Sequence, residues 1–348
     1  MTRNPALHEK RNQQILADVV RTYIETGEPV SSRAVSRQYR EPLSAATVRN
    51  VMADLEEDGY LYQPHTSAGR VPTAAAYRFF AQQIAAQARL KPEDEQWIRS
   101  ELGTGATPEE ITERAGHVLA AISRGLGLIV SPPLAKAKLE HVRFLRLPDG
   151  RIVVVLISSG GNTRDKVIRT ERSFTQAELD TTADYMNRHY VSWTLEAIRA
   201  DLLVRLASDR ERYDRLLSTA VVLCDPNLLT EKPERQLYVE GAAQIAGSPE
   251  FADQGQLREL LAAIEEKHKL VALLTSCIEA PEPVHVQIGI KEMSAAGNNL
   301  ALISAPYACH DQVQGSLGVL GPMRMQYERA ITAVAYVARL FSETLTRS

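Results

Sequence analysis

Ser44, Thr47, Arg49 and Asn50 fall within one short stretch that holds no acidic residue. Their side chains carry the groups that read nucleic acid. An arginine can pair bidentately with guanine and an asparagine with adenine, while hydroxyls bond bases or phosphates. Acids come only afterwards, at Asp54, Glu56, Glu57 and Asp58. A second run, Pro64-His65-Thr66-Ser67-Ala68-Gly69-Arg70, adds further donors. In it His65, Thr66, Ser67 and Arg70 suit a phosphate backbone or a minor groove.

Other chemistries find little support. Cys224, Cys277 and Cys309 are widely spaced and form no CxxC pair, so they are expected to be plain buried thiols in a reducing compartment. The eight histidines are scattered, and His285 and His310 have no HxxxH or HExxH partner for a metal. No GxSxG elbow is present, and no two carboxylates fall in a recognisable acid/base arrangement. Gly315, Gly318 and Gly321 are spaced GxxGxxG, but the lysine of a phosphate loop is missing, so turns at strand ends are expected there. The expectation is a non-enzyme with no catalytic residue, no cofactor and no metal.

The elements that must position the first two stretches can be read locally. Ile15, Leu16, Val19, Val20, Tyr23 and Ile24 recur at helical spacing, and Gly27 and Pro29 stop that helix. Ser31-Ser32 starts a short second helix through Ala34, Val35 and Tyr39, which Glu41-Pro42 breaks. Ser44 caps a third, whose apolar set is Val48, Val51, Met52 and Leu55 and whose end is Gly59. Tyr60-Leu61-Tyr62 and Arg70-Val71 then read as a short hairpin around a turn-rich tip. Three helices with a tight second turn, followed by a hairpin, form the winged helix-turn-helix pattern. In that pattern the third helix points its amino-terminal half into the major groove. Its free N–H groups there favour phosphate, and the acids sit at the far end. Periodicity alone leaves two other readings open: a helical bundle with a solvated face, or a winged helix that only docks proteins.

The net charge of −3 excludes a protein coated in basic residues but not a local basic surface. Residues 1–90 hold eleven basic against nine acidic side chains, so the amino-terminal end is the mildly positive one. No apolar run approaches the roughly 18–20 residues that span a bilayer. The opening MTRNPALHEK lacks the apolar core of a secretory signal, and a cytoplasmic location is expected.

Beyond Leu90 the chain mixes helices and strands. Helices are expected after Lys91 and from Thr107 to near Gly125. Phe144–Leu147 and Ile152–Ile157 flank Pro148-Asp149-Gly150 as a hairpin, and Lys166–Ile168 follows. Gln176 to Lys269 reads as helical, with strands again at 284–288, 301–303 and 318–320 and a last helix from Tyr327.

Thr47-Val48-Arg49-Asn50, Met52–Glu57, Gly59-Tyr60-Leu61 and the run from Pro64 to Pro72 closely resemble the HrcA family of bacterial heat-inducible transcription repressors. So do Tyr238-Val239-Glu240-Gly241 and Gly318–Tyr327, so the resemblance spans nearly the whole chain. It departs at Val51, where the family commonly has an acid, and at Ile290-Lys291-Glu292. The resemblance implies a multidomain α+β protein in three parts. These are a winged helix-turn-helix DNA-binding domain over 1–90, a discontinuous GAF-like α/β domain over 91–191 and 279–348, and a mostly helical inserted dimerisation domain over 192–278. It also implies a homodimer on an inverted-repeat operator upstream of chaperone operons, kept active by the GroE chaperonin. Two alternatives remain open: a ligand-gated regulator in which the GAF-like domain implied by the resemblance senses a small metabolite, and, least favoured, an enzyme with the winged helix as an accessory.

Overall fold

The computed structural model describes residues 10–39, 43–85, 88–103, 107–132, 138–158, 163–170, 172–208, 214–223, 235–242, 254–278, 280, 282–293, 295–309 and 313–347. The chain begins with helices α1 (Lys10–Thr26), α2 (Ser32–Ser36) and α3 (Ala45–Glu57). Strands β1 (Leu61–Tyr62) and β2 (Val71–Pro72) pair antiparallel, and α4 (Ala74–Ala85) follows. The apolar faces read from the spacing all turn inward: Ile15, Leu16, Val19, Val20, Val48, Met52 and Leu55 share one core with Tyr77 and Phe80 of α4.

Tyr39, expected inside the second helix, lies beyond the end of α2. Its hydroxyl donates to buried Asp18 at 2.8 Å, and Asp18 also accepts from Gln14 and Arg21 on its own helix. Burial first, and then this hydrogen bond, push the Tyr39 phenol well above its ordinary pKa. The chain leaving α2 is thereby tied back to α1.

Next come α5 (Pro92–Leu102), α6 (Pro108–Ser123) and β3 (Leu126–Val130). The start of α6 is a reciprocal cap, in which the Thr107 hydroxyl accepts from the Glu110 N–H and the Glu110 carboxylate from the Thr107 N–H. Strands β4 (Leu139–Arg146), β5 (Ile152–Ser158) and β6 (Thr163–Ile168) follow, then α7 (Gln176–His189), α8 (Leu195–Ser208) and α9 (Asp214–Leu223). The remainder is β7 (Leu237–Glu240), α10 (Gln254–Glu265), α11 (Lys267–Ser276), β8 (His285–Ile288), β9 (Leu300–Cys309), β10 (Val313–Pro322) and α12 (Tyr327–Arg347).

The strands build two larger sheets. One is five-stranded and antiparallel, in the order β7-β3-β10-β9-β8. Ile129, Ile303, Ala305, Leu317 and Val319 on one face pack with α6 and α12, in a core continuous with that of α1–α4. Leu126, Leu128, Val130, Leu302 and Leu320 on the other face pack with Leu270 and Leu274 of α11. The second sheet, β4-β5-β6, has a core of its own with α7, α8 and α9.

Two expectations change here. Residues 237–240, placed in a helical block, form β7, because Leu237 and Val239 fill the α11 face of the sheet while their backbone pairs with β3. Strands β4–β6 separate from β3 and share a core with α8 and α9, whereas β7 and α11 join the five-stranded sheet. Gly315, Gly318 and Gly321, expected in turns, lie inside β10. At Gly318 a Cβ would strike the Ile303 carbonyl across the strand pair, so the glycine allows close approach rather than a bend.

Cys277 is buried, and its thiol donates to the Leu274 carbonyl at 2.9 Å; Cys224 and His310 lie outside the described residues. Among the described residues no helix is long and apolar enough to cross a membrane, and no group of three His, Cys, Asp or Glu side chains could hold a metal ion.

Candidate nucleic-acid interface

Helix α3 presents its first half to solvent. Ser44 is the N-cap in extended conformation, and its oxygen accepts from the Thr47 N–H at 3.0 Å. The two hydroxyl oxygens are 2.8 Å apart, so Ser44 and Thr47 form one small unit at the helix start. Arg49 and Asn50 are exposed on the next turn, opposite buried Val48, Val51 and Met52. The first turn holds no acid, and the helix dipole places partial positive charge there. Ser44 is thus committed to the cap and to Thr47, and either its proton or one lone pair, whichever the Thr47 hydroxyl does not use, is left for a ligand.

The hairpin stands beside this helix. Its root is fixed to the end of α3 by the Tyr60 N–H to the Leu55 carbonyl at 2.9 Å, and by the Thr73 hydroxyl to the Gly59 carbonyl at 2.8 Å. His65, Thr66 and Ser67 are exposed at the tip. The Gln63 amide donates to the Thr66 and Ala68 carbonyls, both at 2.9 Å, and holds the tip loop in shape. Sequence reasoning missed Gln63, because nothing in its type marks a loop staple.

Arg70, expected with the tip residues at a phosphate backbone or a minor groove, has a side chain only 18% exposed, and its Nη2 lies 2.8 Å from Glu56 Oε2 on the last turn of α3. Its backbone pairs with Val30 in both directions, at 2.8 and 2.9 Å. The reason is packing: β2 passes between the α3 terminus and the chain that leaves α1, and the guanidinium is drawn to the nearest acid.

Two exposed arginines on α2 and its C-cap, Arg33 and Arg37, belong to the same region, since α2 packs on α3. The signal was legible as three arginines in Ser31–Arg40 with no acid among them. In helix-turn-helix proteins the helix ahead of the recognition helix crosses the DNA backbone.

A capped, acid-free helix start beside a short hairpin defines a class of protein that presents a helix and a loop together on one surface. Comparison with known proteins narrows the class. The family described as "HrcA protein C terminal domain" matches residues 109–331. The heat-inducible transcription repressor HrcA of Geobacter sulfurreducens is 36% identical, over 97% of this chain and 98% of that one. The protein of the same name from Syntrophobacter fumaroxidans is 35% identical, over 97% of each chain. The chain belongs to the HrcA family. A solved structure described as a hypothetical protein shares the fold, with a TM-score of 0.64 at 24% identity over 97% of this chain and 99% of that one.

Proposed function

We propose that this chain is a heat-inducible transcription repressor, a cytoplasmic regulator rather than an enzyme, whose α1–α3 and β1–β2 form a winged helix-turn-helix on double-stranded operator DNA. The observation that carries this is the start of α3: capped by Ser44, free of acids, and displaying Arg49 and Asn50 to solvent. Arg49 and Asn50 read base edges in the major groove, and Ser44 and Thr47 support them at the helix start. His65, Thr66 and Ser67 meet the adjacent backbone or minor groove, and Arg33 and Arg37 hold phosphates on the other flank.

The rest of the reading is carried by family membership. The five-stranded sheet with its helices is the GAF-like domain. The chain acts as a homodimer on an inverted repeat, with GroE chaperonin maintaining the active form. Residues 192–278 take part in dimerisation; exposed Leu203 and Val204 on α8 and Val222 on α9 give that segment an apolar surface of the kind interfaces use. The test is footprinting of the purified protein on DNA upstream of chaperone operons, with and without GroE. Protection of two symmetric half-sites, strengthened by GroE, is expected. Uniform protection without sequence preference would overturn the reading.

One observation favours a second reading, a ligand-gated regulator. A cleft of about 420 Å³ between α11 and β8 is lined by His268, Lys269, Gln287 and Glu292, and Gln287 Oε1 is buried without a hydrogen-bond partner. A small metabolite that raises the melting temperature and alters operator affinity would support it.

A further inference from the structure

Arg70 joins three elements. Its backbone bridges Val30, in the chain that leaves α1; it leads directly into β2, one side of the hairpin; its guanidinium grips Glu56 on α3 at 2.8 Å. The root of the hairpin is held by the Tyr60 and Thr73 hydrogen bonds and by buried Leu61 and Val71, but beyond the root Arg70 makes its side-chain tie to α3. Each strand is two residues long, and a two-stranded hairpin of that size holds no fixed angle by itself. Gly69 lets the contact close: a Cβ there would collide with the Val30 carbonyl, so only glycine permits the strand to lie against that turn. The ion pair is partly shielded, with Arg70 at 18% and Glu56 at 34% side-chain exposure, and the Arg70 Nε is buried without an acceptor. A guanidinium held in this way cannot swing out to a phosphate without stranding Glu56. That carboxylate would then stand at the carboxyl end of a helix, where the dipole opposes it.

We propose that Arg70 is a positioning residue. Through Glu56 it sets the angle between the recognition helix and the wing, and thereby operator specificity, and it does not itself hold DNA. This rests on the reading that α3 and the hairpin contact DNA. Binding that satisfies both base edges at α3 and backbone at the wing requires the two to meet the duplex in one register. Binding to random DNA rests on phosphate contacts alone and tolerates a looser angle.

The experiment uses the full chain and three variants, Glu56→Gln, Arg70→Glu and the double exchange Glu56→Arg/Arg70→Glu. Affinity for operator and for random DNA is measured across a salt series, well below each melting temperature. Glu56→Gln is expected to weaken operator binding about tenfold, the worth of one charge-assisted hydrogen bond. Random-DNA binding and the salt slope should stay unchanged, and the double exchange should recover most of what Arg70→Glu loses. Tighter binding of Glu56→Gln to both DNAs would show that Arg70 is a phosphate ligand held back by its partner, and would overturn the proposal. So would a lower melting temperature with operator affinity intact, which is a structural role only. Failure of the unaltered chain to prefer operator over random DNA would instead sink the DNA-binding reading beneath it.

Discussion

Ser44 is where chemistry and folding meet in one side chain. Its oxygen caps α3, and the loss of such a cap costs about 1 kcal/mol. Two substitutions separate the cap from the proposed DNA contact. Ser44→Ala should lower the melting temperature and weaken operator binding together. Ser44→Asp should keep the cap and the melting temperature, yet weaken binding to any DNA, because it sets a negative charge against phosphate. Equal DNA affinity for Ser44→Asp and the parent would take the start of α3 out of the interface. Arg49 is exposed and has no capping role, so Arg49→Ala should leave stability unchanged. It should cost about 1–3 kcal/mol of operator binding and relax the preference at one base position. A selection of bound sequences from a random pool would reveal that relaxation; an equal loss on random DNA would mean a phosphate contact only.

At the scale of elements, the run Gly318–Tyr327 acquires a role that local patterning did not suggest. It leads from β10 into α12 and supplies the surface on which the amino-terminal helices rest. Tyr327 is fully buried, with the rings of Tyr77 and Phe80 at 6.0 and 6.4 Å, and its hydroxyl donates to the Met323 carbonyl at 2.8 Å. Arg21 of α1 reaches Glu328 at 3.2 Å, and Arg329 grips Asp94 of α5 through two bonds of 2.7 and 3.0 Å. The Arg324 guanidinium lies across Gly27, which ends α1 at φ +74, in the space a Cβ would take. Gly27→Ala therefore meets both backbone strain and a displaced arginine. It should destabilise by more than the 1–2 kcal/mol of the left-handed conformation alone. Urea unfolding measures this, and a cost of no more than about 1–2 kcal/mol would show that Arg324 moves aside freely.

For the whole molecule, the continuous core decides what unfolds with what. Helices α1–α4 share buried residues with α6, α12 and one face of the five-stranded sheet, whereas β4–α9 keeps a separate core. Native-state hydrogen exchange should therefore give two classes of protection, with residues 139–223 opening independently of the rest. A single class across the chain would refute that division. A cut at residue 90 would strip Tyr77 and Phe80 from Tyr327, so the fragments 1–90 and 91–348 should each melt below the intact protein. Sedimentation of 91–348 beside the intact chain then tests the proposed homodimer: a dimeric fragment is expected, and a monomeric one would place the interface in α1–α4.

Much of the amino-terminal third was legible in the sequence, because its signals are local. Helical spacing marked the buried faces of α1 and α3, Ser44 marked a cap three residues from the N–H it satisfies, and Gly27 and Gly59 marked the stops. The hairpin and the acid-free start of α3 were equally plain, and with them the chemistry on offer. What tertiary structure alone decided are pairings between residues far apart in the chain. Whether Arg70 points to solvent or pairs with Glu56, whether Leu237–Glu240 is a helix or a strand beside β3, and whether β4–β6 joins the larger sheet all depend on which surfaces meet. Side-chain type and period describe a residue's neighbours within a turn or two. They carry no information about the partner that packing brings to it, such as the Glu56 carboxylate that holds the Arg70 guanidinium.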